Sequence, residues 1–389
     1  METTDFSKLR VLVLDAFGRQ VMPILHGLHR LKCSITTLNY SKLDLGYASR
    51  YPKKKILCKN VNPLSEQNEA IIEREIKTKN YDIVIPLSDV STKFLSSRWN
   101  EFCEYIKAPI PNIDTFLIAF DKQRTMEVCM ENSIPCTLTK CLNEEIDHFL
   151  KRVEFPIVVK PKSGFGSIGF RILKAKEDLD NFLDKVKNDM TNYLIQEYVP
   201  QTGKQYNVHA FVDDNNELSF AVPTQKCRWF PIDGGSSCFA RTVDRADLIE
   251  QCEKLLKIIN WRGCCEIELI EDPRNGQIKV MEINGRTSAC IKMCQLAGIN
   301  VAKSMVQFSL GLPVQKQPFI FKDVRMRYLH TDILWFLKSK NRWRCKPGWF
   351  NNWHTHDQIF AIGDPIPFFA YSLQSVFRYK KEMKKRKRQ

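Results

Sequence analysis

No C-x-x-C pair occurs among the 14 cysteines, and no Cys/His spacing suits a structural zinc site. The thiols are therefore expected to be reduced and buried, as in a cytoplasmic protein. Cys264, Cys265, Cys290 and Cys294 all sit in or beside apolar segments. No apolar run reaches the ~18 residues of a membrane span. Residues 1–8 hold two acids and no apolar core, which speaks against a signal peptide. Gly and Pro number only 16 and 18, which excludes collagen-like and low-complexity classes. The turn after the first expected strand offers Gly18 alone, so the G-x-G-x-x-G of a dinucleotide site is missing. There is no Ser-His-Asp or Cys-His arrangement and no internal repeat. RRM, KH and zinc signatures are also lacking, so specific nucleic-acid binding is not expected.

What is present fits a soluble globular protein. The 389 residues suffice for two to four packed units at ~100–200 residues each. Hydrophobic residues make up 43% and charged residues 26%. The net charge of +15 is unevenly placed: residues 322–389 hold 16 Lys/Arg against 5 Asp/Glu. A near-neutral body with a basic end implies an appended surface patch rather than a uniformly basic protein.

Short apolar runs alternate with helical spacing at the start of the chain. Val11-Leu12-Val13-Leu14, residues 34–38, residues 55–58 and residues 81–86 read as strands, with helices through His29 and over 66–79. That alternation implies a parallel α/β sheet. Residues 114–132 read as helical, interrupted near Asp121-Lys122. Strands at 155–161, 170–173 and 193–200 surround a helix at 177–187. Beyond them the pattern turns antiparallel, with hairpins around residues 213–216 and 272–276 and a helix over 248–259.

Three segments carry chemistry. Lys160 and Lys162 open a loop containing Ser163, Gly164, Gly166, Ser167 and Gly169 between two strands. Glycines let backbone N–H groups approach phosphate oxygens, serine hydroxyls add donors, and lysine adds charge. No G-K-[ST] follows, so this is not a Walker A loop. A plain flexible hairpin is the competing reading. In the second segment Glu268 and Glu282 sit among apolar residues on paired strands, followed by Asn284 and Arg286. Buried carboxylates are costly unless paired or on a metal. Two carboxylates and an amide oxygen suit Mg²⁺, with nucleotide phosphates completing its shell. Glu266 shares a face with Glu268 and is a rival ligand. The third segment, Gln196-Glu197-Tyr198-Val199, is a strand exit able to hold an adenine edge.

The order of Lys122, Lys160, the Gly/Ser loop, residues 196–199, Glu268 and Glu282-x-Asn284-x-Arg286 resembles the ATP-grasp superfamily of carboxylate-amine ligases. That superfamily includes biotin carboxylase, carbamoyl phosphate synthetase and D-aspartate ligase-like enzymes. The resemblance covers roughly residues 5–315. It implies a mixed α/β and α+β ATP-grasp fold in four parts: a Rossmann-like parallel domain over 1–112, a small lid over 113–200, an antiparallel lobe over 201–315, and an aromatic, basic extension over 316–389. It further implies that Lys122, Lys160 and Lys162 contact ATP phosphates and that Ser163, Gly164, Gly166 and Ser167 cover them. Gln196, Glu197, Tyr198 and Val199 would hold adenine. Gln205 stands where the family usually carries a ribose-binding glutamate. Glu268, Glu282 and Asn284 would hold Mg²⁺ or Mn²⁺, with Arg286 and Lys160 as the catalytic cations. The implied activity is ADP-forming ligation of a carboxylate, for example an amino acid, to an amine through an acyl phosphate, in cell-envelope or surface-polysaccharide synthesis. A kinase-like or thiol-ligase variant on the same scaffold, and a non-catalytic membrane-surface protein, are the alternatives.

Lys226, Arg228 and Arg241 fall between the adenine segment and the metal strands, and would suit a carboxylate substrate; a solvated basic loop is the competing reading. Residues 322–389 carry four of the seven tryptophans and end in the run 380–388, which holds seven cations and one acid. Aromatics beside a polybasic run suit an anionic bilayer. The expected location is therefore the cytoplasm, at the inner face of the membrane. Packing of those aromatics on the body is the alternative.

Overall fold

The protein is described by a computed structural model covering residues 5–58, 63, 65–143, 145–162, 169–232, 234–351 and 353–386, with side chains through residue 376. The expected phosphate-covering residues Ser163, Gly164, Gly166 and Ser167 lie outside the described residues.

Three sheets organise the chain. The first comprises Arg10–Val13 (β1), Ser34–Asn39 (β2), Lys54–Leu57 (β3) and Ile83–Ile85 (β4), all parallel, in the order β3-β2-β1-β4. Strands β1 and β4 are almost wholly apolar because helices cover both faces of the sheet. The second sheet holds Thr139–Cys141 (β5), Ile157–Pro161 (β6), Arg171–Leu173 (β7) and Tyr193–Glu197 (β8), antiparallel, in the order β5-β8-β6-β7.

The third sheet has seven strands: Gln205–Val212 (β9), Leu218–Phe230 (β10), Ser236–Thr242 (β11), Gly263–Glu271 (β12), Ile278–Asn284 (β13), Arg325–Arg327 (β14) and Thr355–Asp357 (β15). Their order is β13-β12-β9-β10-β11-β14-β15. All pairs are antiparallel except β14–β15. The helical segment splits at Asp121 into Ile113–Phe120 and Lys122–Glu131, because the Asp121 side chain accepts from the N–H groups of Gln123 and Arg124 and caps the second helix.

The first and third sheets share one core. Helix Val21–Arg30 and strand β1 pack in the same apolar cluster as Phe211, Phe220 and helix Val301–Ser309. Gly27 makes this close approach feasible: a Cβ there would lie 2.5 Å from the Cβ of Ala302.

The region holding Lys226, Arg228 and Arg241, for which a solvated basic loop is the competing reading, forms the hairpin of β10 and β11. The C-terminal aromatics also depart from a loose surface patch. Strands β14 and β15 extend the central sheet, and Trp335 is buried against Phe230 and Cys238. The C-terminal helix runs from Ile366 to Arg386. One of its faces is bolted to the body, where Gln374 donates to Asp44 (3.0 Å) and Phe368 and Tyr371 join the shared core. No helix among the described residues is long and apolar enough to cross a membrane.

Candidate active site

Strand alternation places polar residues on one face of the central sheet. Gln205, Asn207 and His209 come from β9, Lys226 from β10, Glu266 and Glu268 from β12, and Glu282 and Asn284 from β13. Register makes them neighbours: Glu268 lies directly opposite Glu282 and beside Asn207, and Glu266 lies opposite Asn284 and beside His209. Like charges paired across a ladder repel, so this face needs cations. Lys226 Nζ sits 2.7 Å from Glu268, and Lys122 Nζ, from the capped second helix, sits 3.4 Å from Glu282. These side chains line a cavity of about 250 Å³ together with Lys160, Arg286, Arg19 and Ser288.

Electrostatics differ from group to group. Burial drives the buried Lys160 ammonium down to about 8, against the pull of Glu282. Burial, reinforced by Glu282 and Glu266, raises the Glu268 carboxyl despite Lys226. Burial opposes ionisation of Glu282 too, but Lys122 and Lys160 outweigh it and lower its carboxyl. Glu266 also resists burial: a hydrogen bond and charge from His209, then Arg286 and Ser288, carry it down to about 2. Its Oε2 lies 3.2 Å from His209 Nδ1 and accepts from Ser288 Oγ. Glu266 is thus committed to a buried network, whereas Glu268 and Glu282 are held by lysine ends at the cavity wall.

The donor set fits a hard divalent cation. Glu268 and Glu282 offer adjacent carboxylates. Asn207 Oδ1 is buried beside them and has no hydrogen-bond partner among the described residues. The Asn284 amide touches the same group, with Nδ2 3.3 Å from Glu268 and Oδ1 accepting from Arg286 (3.1 Å). Oxygen ligands of this kind suit Mg²⁺ or Mn²⁺.

Arg286 reaches this face from just beyond β13 and donates through Nε to Asp89 at 3.0 Å. Asp89 opens the helix Asp89–Ser97 that follows β4, so the parallel sheet helps to set the position of Arg286. Lys162 contributes its carbonyl, which accepts from the Lys122 N–H at 3.0 Å. Gln205 lines the cavity and donates to Gln201.

The adenine segment is arranged differently from its side chains' apparent promise. The Glu197 carboxylate is taken up by Lys279 (2.8 Å) and Arg274 (3.1 Å), and Gln196 donates to Thr139 (2.7 Å). Val199 is buried, and Tyr198, like the other three, is not among the residues lining the cavity. The segment therefore offers main chain rather than free charge.

Of the three expected substrate cations, only Lys226 faces the cavity. A β-bulge explains why Arg228 does not. Lys226 pairs with Ala240 and Arg228 with Phe239, so Cys227 is the extra residue and the alternation inverts after it. Arg228 enters the opposite layer and forms a sealed pair with Asp332, Nε–Oδ1 2.7 Å. Arg241 lies on the surface and donates to Gln225. Arg19, Asp89, Asn207 and Ser288 escaped sequence reasoning. Only Asn207 left a signal, as the middle of three polar residues alternating with apolar ones along β9.

Comparison with known proteins places this geometry in context. The ATP-grasp domain family matches residues 119–290. The D-aspartate ligase of Enterococcus faecium is 25% identical over 304 residues, 69% of this chain and 71% of that protein. A D-alanine–D-alanine ligase of Sulfurimonas denitrificans is 26% identical over 151 residues, but the match spans only 43% of its length and 38% of this chain. In fold, the N5-carboxyaminoimidazole synthetase of Staphylococcus aureus superposes with a TM-score of 0.68 over 86% of each chain, at 14% identity.

Proposed function

The chain carries an ATP-grasp domain and the ATP-grasp fold, and on that premise we propose that it is an ADP-forming ligase joining a carboxylate, of the amino-acid class, to an amine. The observation that carries this reading is the facing pair Glu268–Glu282, flanked by Lys226, Lys122 and Lys160 and closed by Arg286, on one face of one cavity. Glu268, Glu282 and the amides of Asn207 and Asn284 would hold Mg²⁺, which when bound with ATP neutralises phosphate charge during transfer.

This chain's own residues then have separable tasks. Lys122 and Lys160 bind the phosphates, Lys122 exchanging Glu282 for them. Arg286, steadied by Asp89, faces the transferred group and stabilises its developing charge. Main chain at 196–199 holds the base. An acyl phosphate formed here must be kept from water until an amine displaces phosphate.

The test is ADP release by purified protein across amino acids and amino sugars, with product analysis. ADP plus an amide supports ligation. ADP plus a stable phosphorylated acceptor would instead favour the kinase-like variant. Glu282→Gln should lower turnover by about two orders of magnitude or more at near-wild-type melting temperature, because the lost charge is a cation ligand. Near-normal ADP release by this variant removes Glu282 from the site.

An anionic membrane surface is the proposed working location, consistent with a lipid-linked acceptor in envelope or polysaccharide synthesis. Ile366, Phe369, Leu373 and Val376 form an outward stripe on the C-terminal helix, 54–65% exposed, opposite the face that packs on the body. The basic run 380–388 begins within the last turns of that helix. A bolted helix with an apolar outer stripe and basic end suits the headgroup boundary of an anionic bilayer. Phe369→Glu/Leu373→Glu should abolish sedimentation with phosphatidylserine vesicles at low salt and leave ADP release intact. Failure of the wild type to sediment with them overturns this location.

A further inference from the structure

The parallel sheet has its own ligand-binding geometry. The chain runs β1, β2, β3 to one side and then returns to place β4 on the other side of β1. The strand order therefore reverses between β1 and β4, and in open α/β sheets ligands bind outside the carboxyl ends of strands at such a point. The two segments leaving that point are the loop 15–20 and the start of helix Asp89–Ser97. Asp89 holds Arg286, and Arg19 lines the same cavity.

The loop bearing Arg19 is held from several sides. Asp15, at φ 53°, accepts from Tyr40 Oη (2.5 Å) and Ser88 Oγ. Ala16 N–H donates to Leu38 O (3.0 Å), and Gln20 Nε2 donates to Leu87 O (2.7 Å). The C-terminal extension then fixes the guanidinium itself. Arg19 donates through one terminal nitrogen to Gln358 Oε1 at 2.6 Å, and its Cζ sits 4.0 Å from the centroid of the Tyr328 ring. Gln358 is buried and donates to the carbonyl of Ala289, itself a cavity residue.

Arg19 differs in its charge partners from three of the cavity's other cations. Lys226, Lys122 and Arg286 each have a carboxylate within 4 Å. Arg19 has none among the described residues; its polar partner is the neutral Gln358, which leaves further donors of its fork uncommitted. A partly buried guanidinium with spare donors at a cavity wall is costly unless an anion completes it.

We propose that Arg19 binds a carboxylate of the substrate at this switch point, and that Gln358 and Tyr328 act as positioning residues for it. The C-terminal extension thereby completes the substrate site from its inner side. The ligand class is an amino acid or dicarboxylic acid. A single planar fork matches one carboxylate, and the phosphate-binding cations lie on the ATP-grasp side of the cavity. This inference rests on the ligase reading above.

The experiment measures binding by titrated thermal shift on the full chain, so failure of the two readings can be told apart. One arm titrates a non-hydrolysable ATP analogue with Mg²⁺. The other titrates D-aspartate, L-aspartate and succinate, with inorganic phosphate as a rival anion. Wild type, Arg19→Lys and Gln358→Ala are compared. The expected result is stabilisation of the wild type by at least one carboxylate. Its apparent affinity should fall about tenfold or more in Arg19→Lys, which keeps the charge but loses the fork, and fall in Gln358→Ala, with the ATP-analogue affinity unchanged in both. Three results overturn the proposal: no carboxylate shift in the wild type, an equal shift in Arg19→Lys, or Arg19-dependent binding of phosphate alone. A purely structural Arg19 would lower the melting temperature and leave carboxylate affinity where it was. Absence of an ATP-analogue shift in the wild type overturns the ATP reading itself.

Discussion

Lys226 and Arg228 stand two residues apart on one strand, and each forms an ion pair, yet the two pairs do opposite work. Lys226–Glu268 borders the cavity and shares its carboxylate neighbourhood with Glu282, Glu266 and Asn284. Arg228–Asp332 is closed off, at 1% and 0% exposure, with Phe239 and Trp335 against the guanidinium and Pro347 O accepting a further bond at 3.0 Å. One inserted residue, Cys227, separates them by inverting the strand's alternation. The first pair can be opened by a ligand that replaces either partner. The second has no route to a replacement and serves to fasten helix Leu329–Lys338 to the central sheet. Burial of charge therefore does not identify a functional group; access to a competing partner does.

The largest stability effect should come from breaking the sealed pair. Asp332→Ala leaves Arg228 buried without its anion, which costs about 3–5 kcal/mol. A melting curve should show a fall of roughly 5–10 °C or more. Lys226→Met should cost less stability and more turnover, since a cavity-facing carboxylate retains Lys122 and solvent nearby. Equal melting temperatures for the two variants would break the distinction between sealed and accessible pairs.

How much of this was legible in the sequence follows the same division. The hairpin β12–β13 announced itself because carboxylates interrupt apolar runs at alternate positions, and local register alone makes Glu268 and Glu282 neighbours. The split at Asp121 was equally local, being a cap. Arg228 was misplaced because a bulge is set by its partner strand, and β11 carried no clear alternating signal. Arg19 and Asp89 were invisible because they meet the cavity only through the packing of one sheet on another, 339 residues separating Arg19 from Gln358. The docking of the extension was likewise hidden: its aromatics and charges have the composition of a surface patch, and only the tertiary partners Asp44, Cys238 and Phe230 reveal the buried side.

A pH profile sharpens the accessible side. Lys160 is buried and held down to about 8, so in the free enzyme the protonated form that the proposed phosphate contact needs is lost as pH rises through that value. The ratio kcat/KM for ATP reports the free enzyme and should fall about tenfold per unit above pH ~8, whereas kcat should hold further into the alkaline range because bound phosphates favour the charged lysine. Lys160→Arg, with a cation that does not titrate in this range, should remove the alkaline limb even if the rate is reduced. A profile flat to pH 10 in the native protein would detach Lys160 from the phosphates.

The smallest effect expected is at Arg241, which completes the comparison along the neighbouring strand. It pairs across the ladder with Gln225 and spends its donors there, at 3.1 and 3.3 Å, on the exposed side of β11. It has neither the sealed surroundings of Arg228 nor the cavity access of Lys226. Surface substitutions of that kind change stability by within about 0.5 kcal/mol. Arg241→Ala should therefore melt within a degree or two of the native protein and keep KM for both ATP and the carboxylate within about twofold. The check is a melting curve beside steady-state kinetics on whichever carboxylate releases ADP. A tenfold rise in carboxylate KM would bring the outer face of β11 into the substrate site. Cation identity and position in sequence would then have predicted function better than access to the cavity does.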